Sequence, residues 1–239
     1  MSEIDKILDT AFPGRKFRLG LGTGDLYGRT STQASLNVIG AALDEGVRYF
    51  DTARLYGDGT AEEVLGAALF GVRHEVIIAS KAGIVPWSMR LGRRVFTKAG
   101  GVAHKMTGGV LPAPPQPDAL YNAFDGRTLM RSVEASLNAL KTDYLDILLL
   151  HECSLEALQR EDVQRTLETL KRAGKVRATG IAATQVETLR IMRSPSARQL
   201  DVVQAPANIL ARQEVDYDVQ SPSILITHST LRPVLDAVT

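Results

Sequence analysis

The stretch YFDTARLYGDG, residues 49–59, places an aspartate, a tyrosine and a glycine-rich turn at the end of an apolar run. Asp51 closes this run, and Lys81 and His151 follow two later apolar runs in a similar way. If the runs are neighbouring parallel strands of a barrel, all three ionisable groups face one pocket, in the place where catalytic groups are usually found. Each residue alone has an ordinary explanation, as a turn cap, a solvated lysine or a packed histidine. Their equivalent positions predict a shared catalytic site.

The elements that must position these residues alternate between strands and helices. Seven apolar runs, separated by segments of helical periodicity, predict repeated βαβ units and a parallel sheet, either a barrel or an open sheet. Gly46 and Gly174 are predicted to end two of the helices, and residues 60–63 (TAEE) have the pattern of a capping box. The predicted strands are residues 17–22, 47–50, 76–79, 145–150, 176–181, 202–204 and 224–228, and the predicted helices are residues 32–45, 60–70, 127–140, 155–173, 186–192 and a last one from about Arg232.

Composition and charge are those of an ordinary globular protein. The 239 residues have a formal net charge of +1, with 44% hydrophobic and 23% charged residues, which gives no sign of nucleic acid or an acidic membrane surface as a partner. No apolar run is long enough for a membrane span, and the N-terminus lacks the pattern of a targeting segment. A single cysteine, Cys153, excludes an internal disulfide and a cysteine-rich zinc site. We therefore expect one cytoplasmic domain over residues 1–239.

Residues 86–126 interrupt this alternation. The segment contains five prolines and many glycines with basic side chains between them, which predicts a long irregular loop after the third strand. At the carboxyl end of a barrel strand, such a loop would be a lid or a substrate loop, and a surface insertion is the alternative.

Much of the chain outside that segment resembles the aldo-keto reductase family. The matching stretches are LGLGTG (19–24), GVRYFDTARLYGDGTAEEVLGAAL (46–69), IIASKAG (77–83), SLNALKTDYLDILLLH (136–151) and GKVRATGIA (174–182), with weaker matches at VVQAPANIL (202–210) and ITHSTL (226–231). The family is a (β/α)8 TIM barrel of NADPH-dependent carbonyl reductases with an Asp, Tyr, Lys, His tetrad. The resemblance implies this fold here, with Asp51, Tyr56, Lys81 and His151 as the catalytic residues.

The tetrad has a chemical rationale. Reduction of a carbonyl needs a hydride at carbon and a proton at oxygen, and a tyrosine hydroxyl with a reference pKa near 10 is a poor acid unless its anion is stabilised. Lys81 would stabilise the Tyr56 anion, Asp51 would hold the lysine, and His151 would orient the substrate oxygen. The expected activity is reduction of an aldehyde or ketone by NADPH, with NADH as the alternative cofactor and Tyr56 as the proton donor.

The resemblance also implies cofactor contacts. The expected cofactor-binding residues are Thr23, Asp51, Gln204, His228, Ser229 and Leu231. The family usually has Ser-Asn after the fifth strand to hold the nicotinamide carboxamide, whereas this chain has Ala182-Ala183. Gln204 matches the glutamine that shares this contact, and His228 takes the place of an aromatic residue that stacks on the nicotinamide.

The sequence ends at Thr239, after seven predicted strands and one more helix, so we expect a C-terminally shortened chain without the eighth βα unit of the family. A barrel without one strand exposes two edges. A shortened gene product, a homo-oligomer that covers the open edge, and a protein that has lost tight cofactor binding are three explanations. The last would make the chain a catalytically weak or inactive binding or regulatory protein.

Two other motifs are weaker. Gly20, Gly22 and Gly24 resemble a dinucleotide-binding loop, but the third glycine of G-x-G-x-x-G would fall at Asp25 and no helix follows at once. His151, Cys153 and His228 lack the spacing of a metal site, so we expect no metal.

Overall fold

The computed structural model describes residues 19–24, 26, 31–86, 119–207 and 224–229, and every structural statement below refers to these residues. Strands and helices alternate along them. In chain order they are β1 (Gly20–Gly22), α1 (Thr32–Asp44), β2 (Tyr49–Asp51), α2 (Thr60–Ala68), β3 (Ile77–Ala82), α3 (Gly126–Leu140), β4 (Leu145–His151), α4 (Leu155–Leu158), α5 (Glu161–Arg172), β5 (Val176–Ala182), α6 (Gln185–Met192), β6 (Val202–Pro206) and β7 (Ile224–His228). Short 3₁₀ turns cover Tyr56–Gly59, Arg73–Glu75 and Pro195–Gln199.

All seven strands form one parallel sheet in sequence order, from β1 to β7. This is the strand arrangement of a (β/α)8 TIM barrel, and it confirms the barrel type over the open sheet. Alternate residues of each strand divide the apolar side chains between two cores. Tyr49, Ile77, Ile147 and Leu149 are among those that fill the space inside the sheet, whereas the larger core lies between the strands and the helices.

Small residues allow close approach at several points in this packing. A methyl group at Gly180 on β5 would come within 1.9 Å of the Val202 carbonyl oxygen on β6. At Gly66 on α2, it would come within 2.6 Å of the Leu140 carbonyl oxygen at the end of α3. These two glycines therefore set how closely neighbouring elements pack.

Local sequence signals define most helix ends. The side chains of Ser31, Asp125, Ser154 and Thr184 each accept a hydrogen bond from a backbone N–H in the first turn of a helix, which satisfies donors that the helix leaves unpaired. Gly46 and Gly174 follow α1 and α5 with φ of 80° and 70°, a conformation that favours glycine. The prediction that these two glycines end helices is confirmed.

Two local predictions were wrong. Residues 60–63 do not form a capping box, because Gly59 is the N-cap residue of α2 and makes no side-chain cap. The predicted helix 155–173 is two helices, α4 and α5. The chain leaves helical geometry at Arg160, whose ψ of 128° is extended, and no glycine or proline marks that break in the sequence.

A cluster of charged side chains ties β3, β4 and β5 together on the side away from the strand carboxyl ends. The buried carboxylate of Asp146 accepts hydrogen bonds from Arg73 at 2.8 Å, from Arg177 at 3.0 Å and from the backbone N–H of Ile78 at 2.9 Å. The two guanidinium groups lie 4.1 and 3.9 Å from the centroid of the Tyr144 ring. Because active sites of such barrels lie at the strand carboxyl ends, the position of this cluster at the opposite end indicates a role in stability.

The long segment after β3 leaves and rejoins the described structure at neighbouring points. Val85 and Leu120 form an antiparallel bridge with two hydrogen bonds of 2.9 Å. Residues 87–118 lie outside the described residues, and so do residues 17–18 of the first predicted strand and the helix predicted from Arg232. Among the described helices, none has the length and hydropathy needed to cross a membrane.

Candidate active site

Three neighbouring strands bring the predicted ionisable residues to one end of the sheet. Asp51 ends β2, Lys81 lies next to the end of β3, and His151 ends β4. These side chains, together with Tyr56, line a cavity of about 550 Å³. The structure therefore brings together the four residues that the sequence predicts as a tetrad.

Lys81 is the centre of this group. Its ammonium forms an ion pair with Asp51 and donates hydrogen bonds to the Thr52 carbonyl oxygen at 3.0 Å and to the Tyr56 hydroxyl at 3.2 Å. Burial acts to lower the pKa of Lys81, but the charge and hydrogen bonds of Asp51 and Tyr56 outweigh burial, and the pKa is raised above its usual value. Lys81 is therefore a buried, fully charged cation that touches a phenol.

Tyr56 is held from several sides. It begins the 3₁₀ turn, where its backbone N–H donates to the Ala53 carbonyl oxygen at 3.0 Å. The Lys81 ammonium lies 4.9 Å from the centroid of its ring, and the His151 ring meets it edge-on at 6.1 Å. The Tyr56 ring therefore has both a cation and an imidazole as neighbours.

Three consecutive left-handed residues turn the chain back after Tyr56. Gly57, Asp58 and Gly59 have φ of 56°, 56° and 92°, a region that glycine enters without strain and that aspartate tolerates better than most residues. A methyl group at Gly59 would come within 1.4 Å of the Arg54 guanidinium. The glycines thus serve both the backbone turn and the passage of the Arg54 side chain.

His151 is a neutral imidazole at physiological pH. Burial, followed by the nearby Lys81 cation, lowers its pKa from 6.5 to about 4, although Asp51 acts in the opposite direction. Burial also lowers the pKa of His228, whose Nδ1 lies 3.0 Å from the Ser229 hydroxyl. A neutral His151 can donate a hydrogen bond to an oxygen in the cavity without adding positive charge.

The residues predicted to contact a cofactor fall into three groups. Gln204, His228 and Ser229 line the cavity, and the Gln204 amide donates to Asp51 at 2.7 Å. Thr23 is fully buried and donates its hydroxyl to the hydroxyl of Thr52 at 3.0 Å, so its side chain supports the strand ends. Leu231 lies outside the described residues.

Several cavity residues and supporting residues were not identified from the sequence. The additional lining residues are Gly22, Gly24, Glu152, Thr184, Gln185 and Pro206, and they lie beside Ala182 and Ala183, which the family resemblance places at the nicotinamide carboxamide. Many of them follow the carboxyl end of a strand, which is the signal that could have identified them. The buried cluster of Arg54, Glu62 and Ser80 could not be identified from the sequence either, because only tertiary folding brings these three residues together. No three His, Cys, Asp or Glu side chains of the described part of the chain are grouped as metal ligands.

Comparison with known sequences identifies one family. The sequence profile of the Aldo/keto reductase family matches residues 18–219. The aldo-keto reductase YhdN of Bacillus subtilis is 29% identical over 217 residues, which cover 88% of this chain and 55% of the relative. The methylglyoxal reductase YeaE of Escherichia coli is 31% identical over 165 residues, covering 68% of this chain and 44% of the relative. The chain spans about half the length of these relatives.

Solved structures show the same fold. An aldo-keto reductase of Klebsiella pneumoniae in complex with NADPH superposes with a TM-score of 0.63 at 26% identity, covering 91% of this chain and 65% of that one. The glycerol dehydrogenase of Gluconobacter oxydans gives a TM-score of 0.66 at 24% identity, covering 94% of this chain and 64% of that one.

Proposed function

Because this chain belongs to the aldo-keto reductase family, we propose that it reduces an aldehyde or ketone to an alcohol with NADPH, or alternatively NADH, and that Tyr56 donates the proton. The main support for this proposal is the contact between the Lys81 ammonium and the Tyr56 hydroxyl at 3.2 Å, with Asp51 as the ion-pair partner of the lysine.

The cavity has the features needed for a nicotinamide cofactor. Ala182, Ala183 and other small residues of its wall leave space beside the polar groups of Gln204, His228 and Ser229. The Gln204 amide can hydrogen-bond a carboxamide while it contacts Asp51, and the His228 ring offers a flat face. When bound, the reduced nicotinamide supplies the hydride.

The four tetrad side chains account for the proton. A neutral His151 donates a hydrogen bond to the substrate oxygen and directs it toward Tyr56. As negative charge builds up on that oxygen, the Tyr56 hydroxyl transfers its proton to it, and the Lys81 ammonium stabilises the phenolate that remains. Asp51 fixes the position of Lys81, which the Thr52 carbonyl oxygen also holds.

Replacement of the donor tests this mechanism. Tyr56→Phe removes only the hydroxyl, and loss of a general acid costs about 10²- to 10⁴-fold in rate. We expect kcat for NADPH-dependent reduction of methylglyoxal and simple aldehydes to fall by that factor, while the Kd for NADPH stays within about twofold of the parent, since Tyr56 gives the cofactor no charged contact. Tyr121→Phe is the matched control, because Tyr121 is exposed outside the cavity. Full activity of Tyr56→Phe would refute the mechanism.

A second candidate is a binding or regulatory protein with weak or no turnover. It is favoured by Ala182 and Ala183, which lie on the cavity wall and offer no side-chain hydrogen bond to a carboxamide. It predicts no reduction across a broad aldehyde panel together with binding of a macromolecular partner. Three expectations stay predictions: a single domain over residues 1–239, a cytoplasmic location, and a homo-oligomer that covers the open edges of β1 and β7. Light scattering of the purified protein tests the homo-oligomer.

A further inference from the structure

A buried charged cluster lies directly behind the tetrad. The Glu62 carboxylate on α2 is completely buried and accepts hydrogen bonds from Arg54 Nη1 at 2.5 Å and from the Ser80 hydroxyl at 2.7 Å. Arg54 also lies 3.5 Å from the Ala135 carbonyl oxygen on α3. We call Arg54, Glu62 and Ser80 the buried triad.

The buried triad joins the two backbone segments that carry the proton donor and its cation. Arg54 precedes Tyr56 by two residues, and Ser80 immediately precedes Lys81. Successive strand residues point to opposite faces, so Ser80 faces α2 when Lys81 faces the cavity. A shift of Glu62 would therefore move both sides of the contact between Lys81 and Tyr56.

Arg54 also determines the turn that follows Tyr56. Its guanidinium passes so close to Gly59 that a methyl group there would come within 1.4 Å of it, so the guanidinium would have to leave its position. The turn folds over the Arg54 side chain, which Glu62 holds by charge. The conformation of Tyr56 thus depends on a carboxylate six residues further along the chain.

Stability alone gives a poor explanation for these polar groups. Arg54, Glu62 and Ser80 are all buried, and apolar residues of similar volume in place of a buried ion pair often give equal or greater stability. What apolar residues cannot supply is directional fixation between α2, β3 and the turn.

We infer that Arg54, Glu62 and Ser80 are positioning residues that hold the Tyr56 hydroxyl within hydrogen-bond distance of the Lys81 ammonium. None of the three lines the cavity, so they act through Tyr56 and Lys81 and do not touch the substrate. This inference rests on the proposed function, since it assigns a role in the same proton transfer.

Ser80→Ala is the sharpest test, because it removes one hydroxyl from the triad and leaves the ion pair and the tetrad in place. Ser132→Ala is the matched control. Ser132 on α3 is equally buried, and its hydroxyl has no hydrogen-bond partner among the described residues. The same atom is deleted in both variants, but only one deletion breaks the triad.

We expect Ser80→Ala to lower kcat about tenfold while the Kd for NADPH stays within about twofold, since a misplacement of about 1 Å can cost up to 10²-fold in rate. Ser132→Ala should keep kcat within about twofold of the parent. Crystal structures of the parent and both variants give a readout that needs no turnover. The Tyr56 hydroxyl and the Lys81 ammonium should separate beyond hydrogen-bond distance in Ser80→Ala only.

Parent-like kcat in Ser80→Ala with an unchanged separation would overturn the inference and leave the proposed function standing. Equal losses of kcat in both serine variants would also overturn it, and so would a loss of NADPH affinity in parallel with kcat. In either case a general loss of packing in the protein would explain the lower kcat. If the parent itself shows no turnover, the proposed function fails, and the separation in the crystal structures alone decides the inference.

Discussion

Burial should make His151 a source of instability in acid. Its pKa is about 4 in the folded protein and 6.5 in an unfolded chain, a difference of about 2.5 pH units or ~3 kcal/mol. Because the folded-state pKa is the lower one, the stability is fully present above about pH 6.5 and is lost as the pH falls from there through about 4. The main cause is burial of the imidazole, and the second is that protonation would place another cation near Lys81.

Urea unfolding of the parent and of His151→Gln, at about pH 7.5 and about pH 4.5, measures this effect. The parent should lose about 2.5 kcal/mol more of its free energy of unfolding between these conditions than the variant does, because glutamine does not titrate. Carboxylates that protonate in acid are present in both proteins and cancel in the comparison. His74→Gln is the control, since its side chain is 79% exposed, and it should show the acid loss of the parent. An equal acid loss in His151→Gln and the parent would refute the reasoning.

Three further predictions concern the scaffold. Asp146→Ala leaves two arginines and a backbone N–H without their carboxylate, so the free energy of unfolding should fall by about 3–5 kcal/mol in urea titrations, and a loss below about 1 kcal/mol would contradict the assigned role. Gly180→Ala should destabilise the barrel by more than ~2 kcal/mol, because the new methyl group meets a β6 carbonyl oxygen. Gly40→Ala, which has open space on α1, is the control and should be neutral or stabilising by up to about 1 kcal/mol. Equal melting temperatures of the two variants would be evidence against the close packing at Gly180. Burial raises the pKa of the Cys153 thiol to about 12, so iodoacetamide should label it only after unfolding, and rapid labelling of the native protein at neutral pH would show that the thiol is accessible.

The convergence of the tetrad could be predicted because parallel strands end at a common face. Asp51, Lys81 and His151 follow apolar runs, and this position alone places them together once the sheet is parallel. The turn at Gly57 and Gly59 could also be anticipated, since closely spaced glycines favour a tight turn.

Features that depend on tertiary contacts could not be read from local patterns. The residues TAEE have the spacing of a capping box between Thr60 and Glu63, but the left-handed turn before α2 moves the N-cap to Gly59, which has no side chain to cap the helix. The break between α4 and α5 occurs at Arg160, which carries no helix-breaking signal. Thr23 follows a strand end like the cavity residues, yet its hydroxyl donates to Thr52 in the interior.

The most direct test of the central claim is a fluorescence titration of the purified 239-residue protein with NADPH and, separately, with NADH. The proposed function predicts saturable binding at micromolar concentrations, with Gln204→Ala weakening it, because Gln204 is the buried amide of the cavity wall. Absence of saturation by either cofactor up to about millimolar, a binding free energy weaker than about −4 kcal/mol, would contradict the account that this chain by itself is a nicotinamide-dependent reductase.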